Sequence, residues 1–151
     1  MLFQLPPNFA ADVDRLRSLL DAVAGRVRPA LEFLHPTWFR DDVYQVLEDS
    51  NAALVLVDRA GTRTEPVVTG GWSYVRFHQG TRGTAGYRRD TLDRWADRLT
   101  GLDAGEVFVY FNNDPGAAAP RDAARLITML RRRGASVSGP STSDRRATLP
   151  S

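Results

Sequence analysis

Apolar residues recur along this chain with two different periods, and the alternation between those periods lays out its elements. Leu2 to Leu5 read as the end of a strand, followed by a Pro6-Pro7-Asn8 loop. Val13, Leu16, Leu19, Leu20 and Val23 fall at helical spacing, predicting an amphipathic helix over about 10–24, with Asn8 as its N-cap and Gly25 as its stop. Ala30 to Phe33 form a short apolar strand closed by His35-Pro36. Trp38, Phe39, Val43, Val46 and Leu47 return to the helical period over 37–49. Ala52 to Val57 is an unbroken apolar run, the mark of a strand buried on both faces.

Residues 59–71 read as a loop, Trp72 to Phe77 as a strand, and 79–89 as a second loop rich in Gly and Arg. Asp90 is the expected N-cap of a helix carrying Leu92, Trp95 and Leu99. Glu106 to Phe111 is the next strand, ended by Asn112-Asn113-Asp114-Pro115-Gly116. Pro120 suits the first turn of a last helix, with Ala123, Ala124, Ile127 and Leu130 on one face. Residues 134–151 have no apolar period and are expected to be a disordered tail, leaving 1–133 as the domain.

The order β-α-β-α-β-loop-β-α-β-α calls for an α/β fold, a parallel sheet with helices packed outside it. An open doubly wound sheet and a barrel both satisfy that pattern. The barrel is favoured because no glycine-rich phosphate loop follows any strand, and because polar residues gather at the strands' C-terminal ends. A full barrel needs at least about 200 residues. With 151 residues and five strands, an incomplete (β/α) TIM-like barrel is the expected fold.

Composition narrows the chemistry. At 42% hydrophobic and 25% charged residues, the chain has enough apolar material for an ordinary core. The absence of cysteine excludes disulfides, thiolate metal sites and a cysteine nucleophile. There is no apolar run long enough to span a bilayer and no signal-peptide pattern at MLFQLPPNF, so a cytoplasmic protein with no membrane partner is expected. All twenty basic residues are arginine, against eighteen acidic ones, for a net charge of +2. Arginine suits planar recognition of phosphate or carboxylate, although a total lack of lysine reads as genome composition before it reads as function. A Schiff-base lysine is excluded.

Six segments in order carry a resemblance: FQLPPNF (3–9), ALEFLHPTWF (30–39), ALVLVD (53–58), GGWSYVRFHQG (70–80), GYRRDTLDRWADRL (86–99) and VFVYFNNDPGAAAPRDAARL (107–126). Together they resemble the C-terminal half of the YecE-like family, the domain of unknown function 72. The resemblance covers about residues 2–131 and implies strands four to eight of an eight-stranded TIM-like barrel. The family's opening strands, with a Gly-Thr-Ser-Gly-Trp segment and an inward glutamate, have no counterpart, and Met1 falls where the family reads through a strand. A truncated gene, a mis-called start or a fragment is the expectation that follows. So is poor stability as a monomer, or a homodimer covering the open barrel edges. Leu34 stands where the family usually carries an arginine, which implies the loss of part of an anion site.

Strand alternation places Trp72, Tyr74, Arg76 and His78 on one face, Glu32 with Leu34, and Tyr110 with Asn112. Gln4, Asp58 and Asn113 lie at comparable depths in their own strands. The expected pocket takes Glu32, His78 and Asp58 as acid–base groups, and Gln4, His35, Arg76, Tyr110, Asn112 and Asn113 as ligand-binding groups. Each has a plainer reading. His78 and His35 can cap chain turns, Glu32 can simply pair with Arg76, and Asp58 can cap a turn or a helix. Asn112 and Asn113 can be strand breakers, raised to site residues only by the resemblance. Trp38, Trp72 and Trp95 read as core.

No His-x-x-x-His or Glu-x-x-His spacing and no Gly-x-Ser-x-Gly elbow occurs, so no metal and no serine triad is assigned, and the cofactor stays unknown. Three functions stand open. One is a barrel enzyme, or the remnant of one, acting on a phosphorylated or carboxylated small molecule. Another is a nucleic-acid-binding module using Arg82, Arg88, Arg89 and Arg131 to Arg133. The last is a gene fragment without activity of its own.

Overall fold

The computed structural model describes residues 1–59, 62–78 and 85–139. Arg82, most of the Gly/Arg-rich loop and the tail from 140 onward lie outside the described residues.

Five strands form one parallel sheet: β1 (Leu2–Gln4), β2 (Ala30–Glu32), β3 (Ala53–Arg59), β5 (Trp72–Phe77) and β6 (Glu106–Phe111). A two-residue strand, β4 (Thr62–Arg63), pairs antiparallel with the end of β3 inside what the sequence reads as loop. Four helices accompany the sheet: α1 (Val13–Val23), α2 (Asp41–Asp49), α3 (Arg89–Thr100) and α4 (Ala118–Arg132).

The five parallel strands lie side by side in chain order, with no reversal. A doubly wound sheet reverses its order at a switch point, whereas a barrel adds each strand beside the last. The helices accordingly share one face. Leu31, Leu54 and Phe33 pack against Leu16, Leu20, Val43, Val46 and Leu47 of α1 and α2. Leu56, Val75 and Phe77 pack against Leu92, Trp95, Leu126 and Met129 of α3 and α4. The opposite face carries Ala30, Ala53, Val55, Val57 and Trp72, with Leu2, Tyr74 and Phe108 beside them. The chain therefore folds as an arc of a TIM-like barrel, with its helices outside and this second set of residues lining the interior.

β3 explains the arrangement's rigidity. Its apolar side chains are buried on both faces, each stabilising the fold by about 1.5–3 kcal/mol. Buried Thr69 stitches the entry to β3, accepting from the Leu54 N–H at 2.9 Å and donating to the Ala52 carbonyl at 2.6 Å. Gly70 follows with φ +72°, and a Cβ there would lie 2.7 Å from the Asn51 carbonyl carbon, so only glycine lets the two segments approach so closely. All three tryptophans are buried.

Four local expectations are corrected. Asp12, not Asn8, caps α1 by accepting from the Arg15 N–H, because the Pro6-Pro7 loop runs on before the helix starts. Arg88, not Asp90, holds the cap position of α3, and Asp90 lies in the first turn, where its carboxylate pairs with Arg94. The expected 37–49 helix divides into a 3₁₀ turn (Pro36–Trp38) and α2, which leaves Phe39 at the joint and exposed. α4 is also rotated from its expected face: it buries Ala118, Ala119, Asp122, Leu126 and Met129.

Candidate functional site

At the C-terminal ends of the strands, four neighbouring strands bring polar side chains to the inner face. Glu32 ends β2 and is fully buried, at 0 % exposure. Burying a lone carboxylate is costly, so it requires compensating charge. Arg76, near the end of β5, supplies it: one Nη1 donates to Glu32 Oε2 and also, at 3.0 Å, to Gln4 Oε1 on β1. Arg59, the last residue of β3, stands 4.0 Å from Glu32 Oε1. His78, just past β5, brings its Nε2 to 3.4 Å from that same oxygen. Glu32 Oε1 and His78 Nε2 are both buried polar atoms without a hydrogen-bond partner among the described residues.

The charges do not cancel. One carboxylate faces two guanidiniums, and the imidazole is held neutral because its pKa is lowered below the ordinary 6.5. Burial is the main cause of that lowering; the positive charges of Arg76 and Arg59 act in the same direction, and Glu32 opposes them. Among the described residues this cluster is thus a net cation, with a carboxylate oxygen and a ring nitrogen that lack hydrogen-bond partners.

Beside it, Tyr110 of β6 is the direct register neighbour of Arg76, and its ring stacks on Tyr74 with centroids 4.7 Å apart and planes 18° apart. Burial and the adjacent Tyr110 phenol raise the Tyr74 pKa, so its hydroxyl stays protonated. Asn112 lies just past the end of β6 and is exposed.

Three expected members of the pocket lie elsewhere. Asp58 follows Val57 on β3 and so points to the helix side, where its carboxylate accepts from the Trp95 indole N–H; the alternation that puts Arg59 inward turns Asp58 outward. His35 caps the 3₁₀ turn: its Nδ1 lies 2.8 Å from the Thr37 hydroxyl and accepts from the Thr37 N–H at 3.3 Å. Asn113 is buried at the foot of α4, donating to the Ala85 carbonyl at 2.8 Å and to Asp122 Oδ2 at 2.9 Å. That Asp122 oxygen also accepts the Tyr87 N–H at 2.8 Å, which is why α4 turns Asp122 inward.

Sequence reading passed over Arg59, taken as the start of a loop. The signal was there: β3 continues its alternation past Val57, and Arg59 falls on the face of Val55 and Val57. Among the described residues, no group of three or more potential ligands is placed to hold a metal ion, and no helix is long and apolar enough to cross a membrane.

A family model described as a protein of unknown function, DUF72, matches residues 1–147. Two solved structures illustrate the likeness. A DUF72 family protein from Thermotoga maritima MSB8 superposes with a TM-score of 0.75 at 25% identity, covering 86% of this chain and 56% of that one. A DUF72 family protein from Enterococcus faecalis V583 gives 0.72 at 20% identity, covering 93% of this chain and 61% of that one. This chain therefore spans less than two thirds of the length of either protein. No curated protein matches it.

Proposed function

Since the chain belongs to the DUF72 family, whose description names no activity, we propose a function from its own residues: the inner-face pocket binds the anionic group of a phosphorylated or carboxylated small molecule and performs acid–base chemistry on it. The observation that carries this reading is the excess of charge around Glu32, with two arginines against one carboxylate in a largely buried setting. An anion supplies the missing negative charge, and Arg59, the more exposed of the two arginines, is placed to meet it.

In this reading Arg76 holds Glu32, and Gln4 accepts a second hydrogen bond from the same Nη1. His78, neutral at physiological pH, acts as the general base. It takes a proton at Nε2 from a ligand hydroxyl or an attacking water, and Glu32 Oε1 stabilises the imidazolium that results. Asp58 has no part, since it faces the helices. The nucleic-acid reading draws less support from the geometry, because Arg133 is committed to Asp93 and Asp97 at 2.9 and 2.8 Å and Arg88 pairs with Asp90.

Titration of inorganic phosphate into the protein, followed by calorimetry, tests the reading. Arg59→Gln is the variant of choice, as Arg59 is partly exposed and its loss spares the Glu32–Arg76 pair. Phosphate affinity is expected to fall roughly tenfold in that variant. Absence of binding at millimolar phosphate, or equal affinity in the variant, rejects the pocket as an anion site.

A further inference from the structure

We propose that the gap between the two edge strands, β6 and β1, is a docking surface for a polypeptide of three further parallel βα units, which closes the barrel and walls the open side of the Glu32–Arg76 cluster. The inference rests on the fold and not on the anion-binding reading. All of β2 is buried and most of β3 and β5, whereas no residue of β6 is, although five of its six residues are Val, Phe or Tyr. Backbone direction shows what β6 lacks. The Asn112 N–H donates to the Phe77 carbonyl at 2.7 Å, so alternation turns the N–H and C=O groups of Val107, Val109 and Phe111 away from β5. On β1, the Leu5 N–H donates to the Glu32 carbonyl at 3.0 Å, which turns those of Leu2 and Gln4 away from β2. Exposed edges are ordinarily blunted by a charge, a proline or a bulge. β6 has none of these from Val107 to Phe111, and its register runs one-to-one along β5. It is built as an inner strand.

Two counts agree on the occupant. A TIM barrel has eight strands and the arc has five parallel ones, which leaves three. At about 30 residues per βα unit, three units need roughly 90, and the Thermotoga maritima protein has on the order of 100 residues that this chain does not match. Curvature favours this occupant over a second copy, which would bring five strands. Arg76 on β5 reaches Gln4 on β1 at 3.0 Å, across β2 and β3, so the arc is curled rather than open. Gln4 and Tyr110 lie near the C-terminal ends of the two edge strands. The docked strands therefore end between them, across the interior from Glu32 and Arg76.

The part of the Thermotoga maritima protein that this chain leaves unmatched is the probe, added as a separate polypeptide and, in a second experiment, fused to the full chain through a flexible linker. Analytical ultracentrifugation of the mixture is expected to show a 1:1 complex. Hydrogen exchange at the Val107, Val109 and Phe111 amides should slow roughly tenfold or more in the complex and in the fusion. Val109→Pro removes one outward donor while sparing the bonds to β5, and should weaken the complex roughly tenfold. Unchanged exchange at those amides in both the mixture and the fusion overturns the proposal, because linkage removes the demand for high affinity. So does a complex that Val109→Pro leaves equally tight. A homodimer of the chain alone that Val109→Pro dissolves overturns it as well, with a second copy as the occupant.

Discussion

Two buried carboxylates on opposite sides of the same sheet are handled differently. Asp122, 1 % exposed on the helix side, meets neutral donors of fixed geometry, the Tyr87 backbone N–H and the Asn113 amide, with one partly exposed arginine at 3.4 Å. Glu32, on the interior side, meets two guanidiniums and an imidazole, and one of its oxygens has no hydrogen bond among the described residues. The first arrangement gives the carboxylate directed donors and holds three segments of chain together, although Asn113 Oδ1 beside it has no partner among the described residues. The second sets two guanidiniums against a single carboxylate. What separates the two is neither burial nor an unpaired polar atom, which they share, but the unbalanced positive charge around Glu32.

Removing each carboxylate sharpens the contrast. Glu32→Ala leaves Arg76 mostly buried without its counter-charge, and a loss of about 3–5 kcal/mol in chemical denaturation is expected. The double variant Glu32→Leu/Arg76→Met should recover much of that stability while abolishing phosphate binding. If the single variant is as stable as the wild type, the pair is not desolvated as described. Asp122→Ala should cost about 2 kcal/mol, because the Tyr87 N–H and the Asn113 amide lose their acceptor. Its phosphate affinity should match the wild type; a parallel loss would show that the two sides are one network.

A smaller effect concerns His78. Its pKa is lowered on folding from 6.5, so below that value the unfolded chain binds the proton more readily than the folded one. The contribution of the neutral ring is complete above about pH 6.5 and is lost as the pH falls from there toward the lowered folded value. Stability measured between pH 7 and 5 should fall less steeply in His78→Gln than in the wild type. Identical slopes would place the histidine in an ordinary solvated setting.

Much of this fold was legible because period and strand order carry it. The helical spacing from Val13 to Val23 and the run from Ala52 to Val57 identify their elements without tertiary information. Alternation along β5 likewise put Arg76 and His78 on one face. It failed for Asp58 because depth along a strand was weighed without its face, and for Arg59 because turn residues masked the end of β3. The rotation of α4 was not legible: a polar residue, Asp122, sets that face through a backbone donor and a side chain distant in sequence. His35 illustrates the same difficulty, since only the position of Thr37 shows that its ring nitrogen closes a turn.

On the anion-binding proposal, two guanidiniums against one carboxylate would also make the melting temperature of this protein a property of its buffer. A solute that occupies the folded pocket and ignores the unfolded chain stabilises by mass action, about 2.7 kcal/mol at a hundredfold excess over its dissociation constant. Phosphate or citrate used as an inert medium would then act as a ligand, and chloride in its place would expose the intrinsic stability of the chain.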